Sequence, residues 1–126
     1  MKTKRNFLAI TLASSLSLGL SLAALAADPV YPSKPIKLIV PYPPGGGSDT
    51  FARTVSPKLS DELGQQFIID NRPGAATIIG ADLVAKSPAD GYTLLLGDNS
   101  TYAVNSSLYK KMPYDALKDF SPITLT

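Results

Sequence analysis

The chain has 126 residues and contains neither cysteine nor histidine. That removes the thiol nucleophile, the usual imidazole base and the commonest soft metal ligands, so no catalytic site, metal or cofactor is expected. Twelve Lys and Arg against ten Asp and Glu give a formal charge of +2, but three of the basic residues fall within the first five positions. From residue 27 onward nine basic residues face ten acidic ones, which leaves no basic patch for nucleic acid.

Residues 1–26 read as a secretory signal peptide. Lys2, Lys4 and Arg5 precede an apolar stretch from Phe7 to about Leu22, and Ala24-Leu25-Ala26 puts small residues where a signal peptidase reads them. An uncleaved anchor is the rival, since Phe7 to Ala26 is long enough to span a bilayer. However, Thr11, Ser14, Ser15, Ser17, Gly19 and Ser21 interrupt its apolar character. Without cysteine a lipoprotein anchor is excluded. Export to the periplasm is the expectation, and residues 27–126 then suffice for one modest core.

The prolines between Tyr31 and Pro35 enforce an extended lead-in. Ile36-Lys37-Leu38-Ile39-Val40 is a β-branched run and reads as a first strand. Pro41 to Gly47 is a loop. Ser48 is the expected N-cap of a first helix, with Asp49 in its first turn. Ala52, Val55, Leu59 and Leu63 recur at helical steps. Pro57 lies within that pattern and predicts a kink or a split near Ser56. Gly64 reads as the stop. Phe67-Ile68-Ile69 is a second strand, ending at Asp70-Asn71. A second helix is expected from Thr77 or Ile78 to Lys86, and a third strand over Tyr92–Leu96. A short helix is predicted over Tyr102–Lys111, an irregular stretch or single turn over Tyr114–Phe120, and the opening of a fourth strand at Ile123–Thr126. Alternating strands and helices with uniformly apolar strands predict an α/β fold with a parallel βαβαβ sheet.

Right-handed crossovers bring the loops 41–48, 72–77 and 97–102 to one sheet edge, where open α/β sheets bind ligands. Gly45, Gly46 and Gly47 admit a ligand to the backbone, and the amides near Ser48 open a helix. Gly74-Ala75-Ala76-Thr77 repeats that arrangement, so a small anion such as a carboxylate is the expected ligand. Thr77, Ser100 and Thr101 are candidate hydroxyl donors. Ser48 and Asp49 serve as cap and dipole partner or touch ligand. Tyr42 either walls the cleft or covers the sheet edge. Arg72 pairs with Asp70 or Asp90, or else with a ligand carboxylate. Asp98 would repel an anion, so it points away or meets an amino group. The candidate ligand-binding residues are Tyr42, Pro44, Gly45, Gly46, Gly47, Ser48, Asp49, Gly74, Ala75, Ala76, Thr77, Asn99 and Ser100. No Gly-Lys-Ser/Thr follows the glycines, which excludes a P-loop. A dinucleotide site is the alternative enzyme reading: Gly45 and Gly47 are spaced for it and Asp70 ends strand two, but Thr50 stands at the third glycine position.

Tyr31-Pro-Ser-Lys-Pro-Ile36, Ile39-Val-Pro-Tyr-Pro-Pro-Gly-Gly-Gly-Ser-Asp49, Asn71-Arg-Pro-Gly-Ala75 and Asp90-Gly-Tyr-Thr-Leu-Leu-Leu-Gly97 resemble, in order, signatures of the substrate-binding proteins of tripartite tricarboxylate transporters, the Bug family. Leu108-Tyr109, Met112-Pro-Tyr-Asp115 and Lys118-Asp-Phe120 follow the same pattern. The resemblance implies a periplasmic receptor of the type II binding-protein architecture, with a di- or tricarboxylate or an amino acid held between two lobes. It implies carboxylate contacts through backbone groups and waters at residues 44–48 and 74–77, and membrane components of a transporter as partners. Family chains are more than twice as long, so residues 27–126 are expected to form part of the first lobe, with the second lobe absent. A short one-lobed interaction module is the alternative. Two local departures stand out: Ala76, Thr77 and Ile78 replace further glycines, and Pro57 interrupts a helix that is usually continuous.

Overall fold

The computed structural model describes residues 30–126; the expected signal peptide lies outside the described residues. The element order is β1 (Ile36–Val40), α1 (Gly47–Leu63), β2 (Phe67–Asn71), α2 (Ile78–Ala85) and β3 (Thr93–Leu95). A π-helical turn (Ser100–Val104) then runs directly into α3 (Asn105–Leu108).

The strands form one parallel sheet in the order β2-β1-β3. Ile36 pairs with Phe67 and Val40 with Asn71 on one side of β1, while Lys37 pairs with Thr93 and Ile39 with Leu95 on the other. The central strand is the most deeply covered, and only Lys37 within it is exposed. Leu38 and Val40 face α1, where Ala52 is fully buried, and Tyr42, Phe67, Ile69, Leu94 and Leu96 pack around them. Ile39, on the opposite face by the alternation of a strand, is also fully buried. The chain moves one way from β1 to β2 and back past β1 to reach β3. Right-handed crossovers therefore set α1 and α2 on opposite faces. The reversal makes the carboxyl ends of β1 and β3 a topological switch point.

Four expectations are corrected. The helix does not split at Pro57: α1 runs unbroken from Gly47 to Leu63. Proline removes only its own N–H from the ladder, and flanking turns with the buried Ala52 stripe hold the helix together. Its Ser60 hydroxyl also accepts from the Phe67 amide at 3.0 Å, tying α1 to the start of β2. The N-cap is Gly46 rather than Ser48, and no side chain caps the helix. The last helical segment begins at Ser100 and ends at Leu108, shifted from Tyr102–Lys111. It starts early because the Asp98 carbonyl accepts from the Tyr102 amide. Residues 121–126 join no strand, and Ile123 and Leu125 are exposed. Gly64 ends α1 in the left-handed conformation, as expected.

Candidate functional site

Three loops meet at the carboxyl ends of the strands around a cavity of about 280 Å³. Pro41, Tyr42 and Pro43 line it from the first loop, Pro73, Gly74, Ala76 and Thr77 from the second, and Ser100 from the third. Of the expected binding residues, Tyr42, Gly74, Ala76, Thr77 and Ser100 are thus brought together. Pro44, Gly45, Gly46, Gly47, Ser48, Asp49, Ala75 and Asn99 are not among the lining residues. Pro41, Pro43 and Pro73 line the cavity without having been singled out in the sequence.

The first loop is braced from within. Asp49 is buried, only 2 % exposed. Its carboxylate accepts from Arg53 Nε at 2.9 Å, the Gly45 amide at 2.8 Å and Asn71 Nδ2 at 3.0 Å. The Arg53 guanidinium, then the Gly45 amide and Asn71, hold this carboxyl well below the usual carboxylate range, against the opposing effect of burial. Asn71 Nδ2 also donates to the Tyr42 carbonyl at 3.1 Å, fixing the wall residue to the end of β2. Both carboxylate oxygens of Asp49 are therefore engaged by protein partners.

The second loop has an unusual backbone. Gly74, Ala75, Ala76 and Thr77 all have positive φ, at 127°, 43°, 50° and 76°. Three of these residues carry a Cβ, for which the left-handed region is costly. The turn closes with the Ile78 amide donating to the Ala75 carbonyl at 3.1 Å. No described residue accepts from the amides of Ala75, Ala76 or Thr77. Successive unpaired amides in such a turn form a concavity suited to an anion. Gly74 lies against Ile79, whose Cδ1 would be 2.6 Å from an added Cβ. Behind the loop, Gly80 is pressed against Pro41 and the Arg72 carbonyl with no room for a methyl group. Arg72 pairs with Asp70 at 2.9 Å, so Asp70, the residue a dinucleotide ribose would need, is already engaged.

The third loop supplies the far wall. The Tyr42 hydroxyl donates to Asp98 Oδ2. Asp98 Oδ1 accepts from the Thr101 amide at 3.1 Å and lies 3.3 Å from Thr101 Oγ1. Burial pushes the Asp98 carboxyl up, but these bonds outweigh it and the net shift is downward. The Tyr42 hydroxyl is pushed up, first by burial and then by the Asp98 carboxylate. The carboxylate of Asp98 is thus engaged by Tyr42 of the first loop and by Thr101 of its own.

Beneath the cavity lies a buried polar cluster that the sequence did not reveal as a unit. Thr101 and Thr77 place their Oγ1 atoms 3.0 Å apart. Asn105 Nδ2 donates to the Ala76 carbonyl at 2.6 Å and to Thr77 Oγ1 at 3.3 Å. The Tyr114 hydroxyl donates to the Thr101 carbonyl at 2.7 Å. Thr77 and Thr101, expected as ligand donors, thus have their hydroxyls turned to each other; Ser100 is the third candidate and remains at the cavity surface. Among the described residues no cluster of acidic or histidine side chains could hold a metal ion.

A parallel sheet with its loops gathered at a switch point is the architecture of an α/β binding-protein lobe. Residues 51–126 match the family described as the tripartite tricarboxylate transporter family receptor, and the chain belongs to that family. Protein BugT of Bordetella pertussis is 48 % identical over 104 residues, covering 82 % of this chain and 32 % of that protein. Rpa4515 of R. palustris, solved with adipate, is 42 % identical with a TM-score of 0.66, covering 69 % of this chain and 29 % of that one. MatC of Rhodopseudomonas palustris, solved with bound malate, is 35 % identical with a TM-score of 0.70, covering 73 % and 31 %. The chain thus spans about a third of the length of these relatives.

Proposed function

We propose that this chain carries the anion-gripping part of an exported receptor that captures a small dicarboxylate in the periplasm and hands it to membrane components of a tripartite tricarboxylate transporter. The observation that carries the reading is the left-handed turn Ala75–Thr77, whose amides lack acceptors among the described residues and whose residues Ala76 and Thr77 border the cavity. A carboxylate satisfies such amides without needing a cationic side chain. The cavity of about 280 Å³ suits a molecule of a few carbon atoms and is small for a dinucleotide. The chain's similarity to proteins solved with malate and adipate supports the same ligand class. The leader-like residues 1–26 and the receptor family support periplasmic delivery.

The test is a thermal-shift and calorimetric titration of the protein recovered from the periplasmic fraction, with malate, adipate, aspartate and NAD as separate ligands. Binding to the native state raises Tm, by an amount equivalent to roughly 2.7 kcal/mol at a hundredfold excess over Kd. A shift with malate or adipate is the expected outcome. A shift with NAD alone, or with none of the four, overturns the reading.

A further inference from the structure

The three left-handed residues with side chains pose a question: what prevents the turn from relaxing? Each such residue is strained and persists only where its surroundings over-determine it. Ala75 and Ala76 are exposed, so packing does not trap them. The side-chain bond that reaches the middle of the turn comes from α3. Asn105 is 1 % exposed and its amide group donates to the Ala76 carbonyl, in the middle of the left-handed run, at 2.6 Å. It also reaches Thr77 Oγ1, the last left-handed residue.

We propose that Asn105 is the positioning residue of the anion cradle, holding the Ala75–Thr77 turn in its left-handed form so that its amides stay free for a ligand carboxylate. The inference rests on the dicarboxylate reading above. Only a donor can do this work, because both partners on the turn are oxygen acceptors. Thr101 has one hydroxyl proton and two oxygens within reach, Asp98 Oδ1 and Thr77 Oγ1. The Thr101 hydroxyl donates to Thr77 Oγ1 at 3.0 Å, with Asp98 Oδ1 farther off at 3.3 Å, so Thr77 Oγ1 accepts from both Thr101 and Asn105. The contacts run from Asn105 through Thr77 and Thr101 to Asp98. Tyr114, 6 % exposed, braces the cluster from below through the Thr101 carbonyl. A ligand touching the turn would meet neither Asn105 nor Tyr114. Their effect on binding passes through the backbone of residues 75–77.

The experiment compares Kd for malate, adipate or aspartate, whichever binds wild type, with Tm for Asn105→Ala, Asn105→Asp, Thr101→Val and the double variant Asn105→Ala/Ala76→Gly. All titrations are run well below each variant's Tm. Asn105→Ala and Asn105→Asp are expected to weaken binding about ten- to a hundredfold, the range set by releasing backbone strain. Thr101→Val, which keeps shape and removes one link, is expected to weaken it about threefold to tenfold, as for one hydrogen bond. Glycine at position 76 accepts positive φ freely, so the double variant is expected to recover affinity, with Tm recovered only in part because the buried bonds of Asn105 stay lost. A residue with only a structural role would lower Tm and leave Kd unchanged at a temperature where the protein is folded. Unchanged Kd in Asn105→Ala, or no rescue by Ala76→Gly, overturns the inference while the dicarboxylate reading stands. If the Asn105 variants do not fold, Thr101→Val decides by the same comparison. Wild type that binds none of malate, adipate and aspartate overturns both.

Discussion

Thr77 and Ser100 both carry hydroxyls at the cavity, yet their environments give them different work. Thr77 is 4 % exposed and its hydroxyl is enclosed by Thr101 and Asn105, whereas Ser100 lines the cavity and is only half-buried. Ser100→Ala is therefore expected to weaken dicarboxylate binding about fivefold, as for the loss of one ligand hydrogen bond, with Tm unchanged. Thr77→Val is expected to lower stability by roughly 1–3 kcal/mol, because it leaves buried polar partners unpaired. Calorimetric titration together with urea unfolding separates the two; a Ser100→Ala variant with lower Tm and normal Kd would reverse the assignment. This division was not legible in the sequence. Glycines, a helix start and nearby hydroxyls mark the loops that border the cavity, since those residue types have local conformational meaning. Whether a given hydroxyl faces the ligand or the core is decided by partners such as Asn105 and Tyr114, far along the chain. Nor does any local signal announce positive φ at Ala75, Ala76 and Thr77, residue types that disfavour it.

At the scale of elements, the apolar runs and helical spacing locate β1, α1, β2, α2 and β3 within a residue or two, because burial on both sides of a parallel sheet writes itself as uninterrupted apolar residues. The helix ends and interruptions were less legible. Gly46 rather than Ser48 caps α1, since the Asp49 carboxylate folds back onto the Gly45 amide and sets the entry of the chain. Pro57 reads as a breaker, but propensity is a local preference and the packing of α1 on the sheet overrides it. The cost is still stored there. Pro57 has no N–H for the Arg53 carbonyl four residues back, and its ring is exposed, so little packing would be lost on replacement. Pro57→Ala is expected to raise stability by roughly 1–3 kcal/mol, the restored helix bond less the chain stiffness that proline supplied. Urea unfolding measures this directly. A destabilised Pro57→Ala variant would mean that the ring, or the open groove it borders with Ser56 and Phe67, contributes to the fold in its own right.

For the molecule as a whole, the ionisable groups predict a stability plateau with a fall on each side. Asp49, Asp90, Asp98 and Asp115 are all held below the usual carboxylate range. A carboxyl whose folded pKa is depressed stabilises the fold above its unfolded value of about 3.9, and that contribution disappears as pH falls toward the folded value. Tm should therefore drop as pH goes below about 4. Asp49 is itself buried and accepts from Arg53, Gly45 and Asn71, so Asp49→Asn is expected to start from a lower Tm and to show a shallower acid limb. At the alkaline end, burial pushes the hydroxyls of Tyr42, Tyr102 and Tyr114 up. A tyrosine with a raised folded pKa ionises first in the unfolded chain, so its contribution is present below about 10 and lost above it. Tyr92 acts in the opposite sense, because the Ser33 hydroxyl and amide favour its ionised form. Between these limits nothing in the chain titrates as histidine does, for it has none. Melting curves taken from about pH 2 to about pH 11 check this: a flat Tm from about 5 to about 9 is expected, bounded by an aspartate limb and a tyrosine limb. A step near neutral pH would require a strongly displaced carboxyl, in conflict with the aspartate environments of the described residues. A flat acid limb in wild type would mean that the bonds to Asp49 persist in the unfolded chain or do not form in the native one.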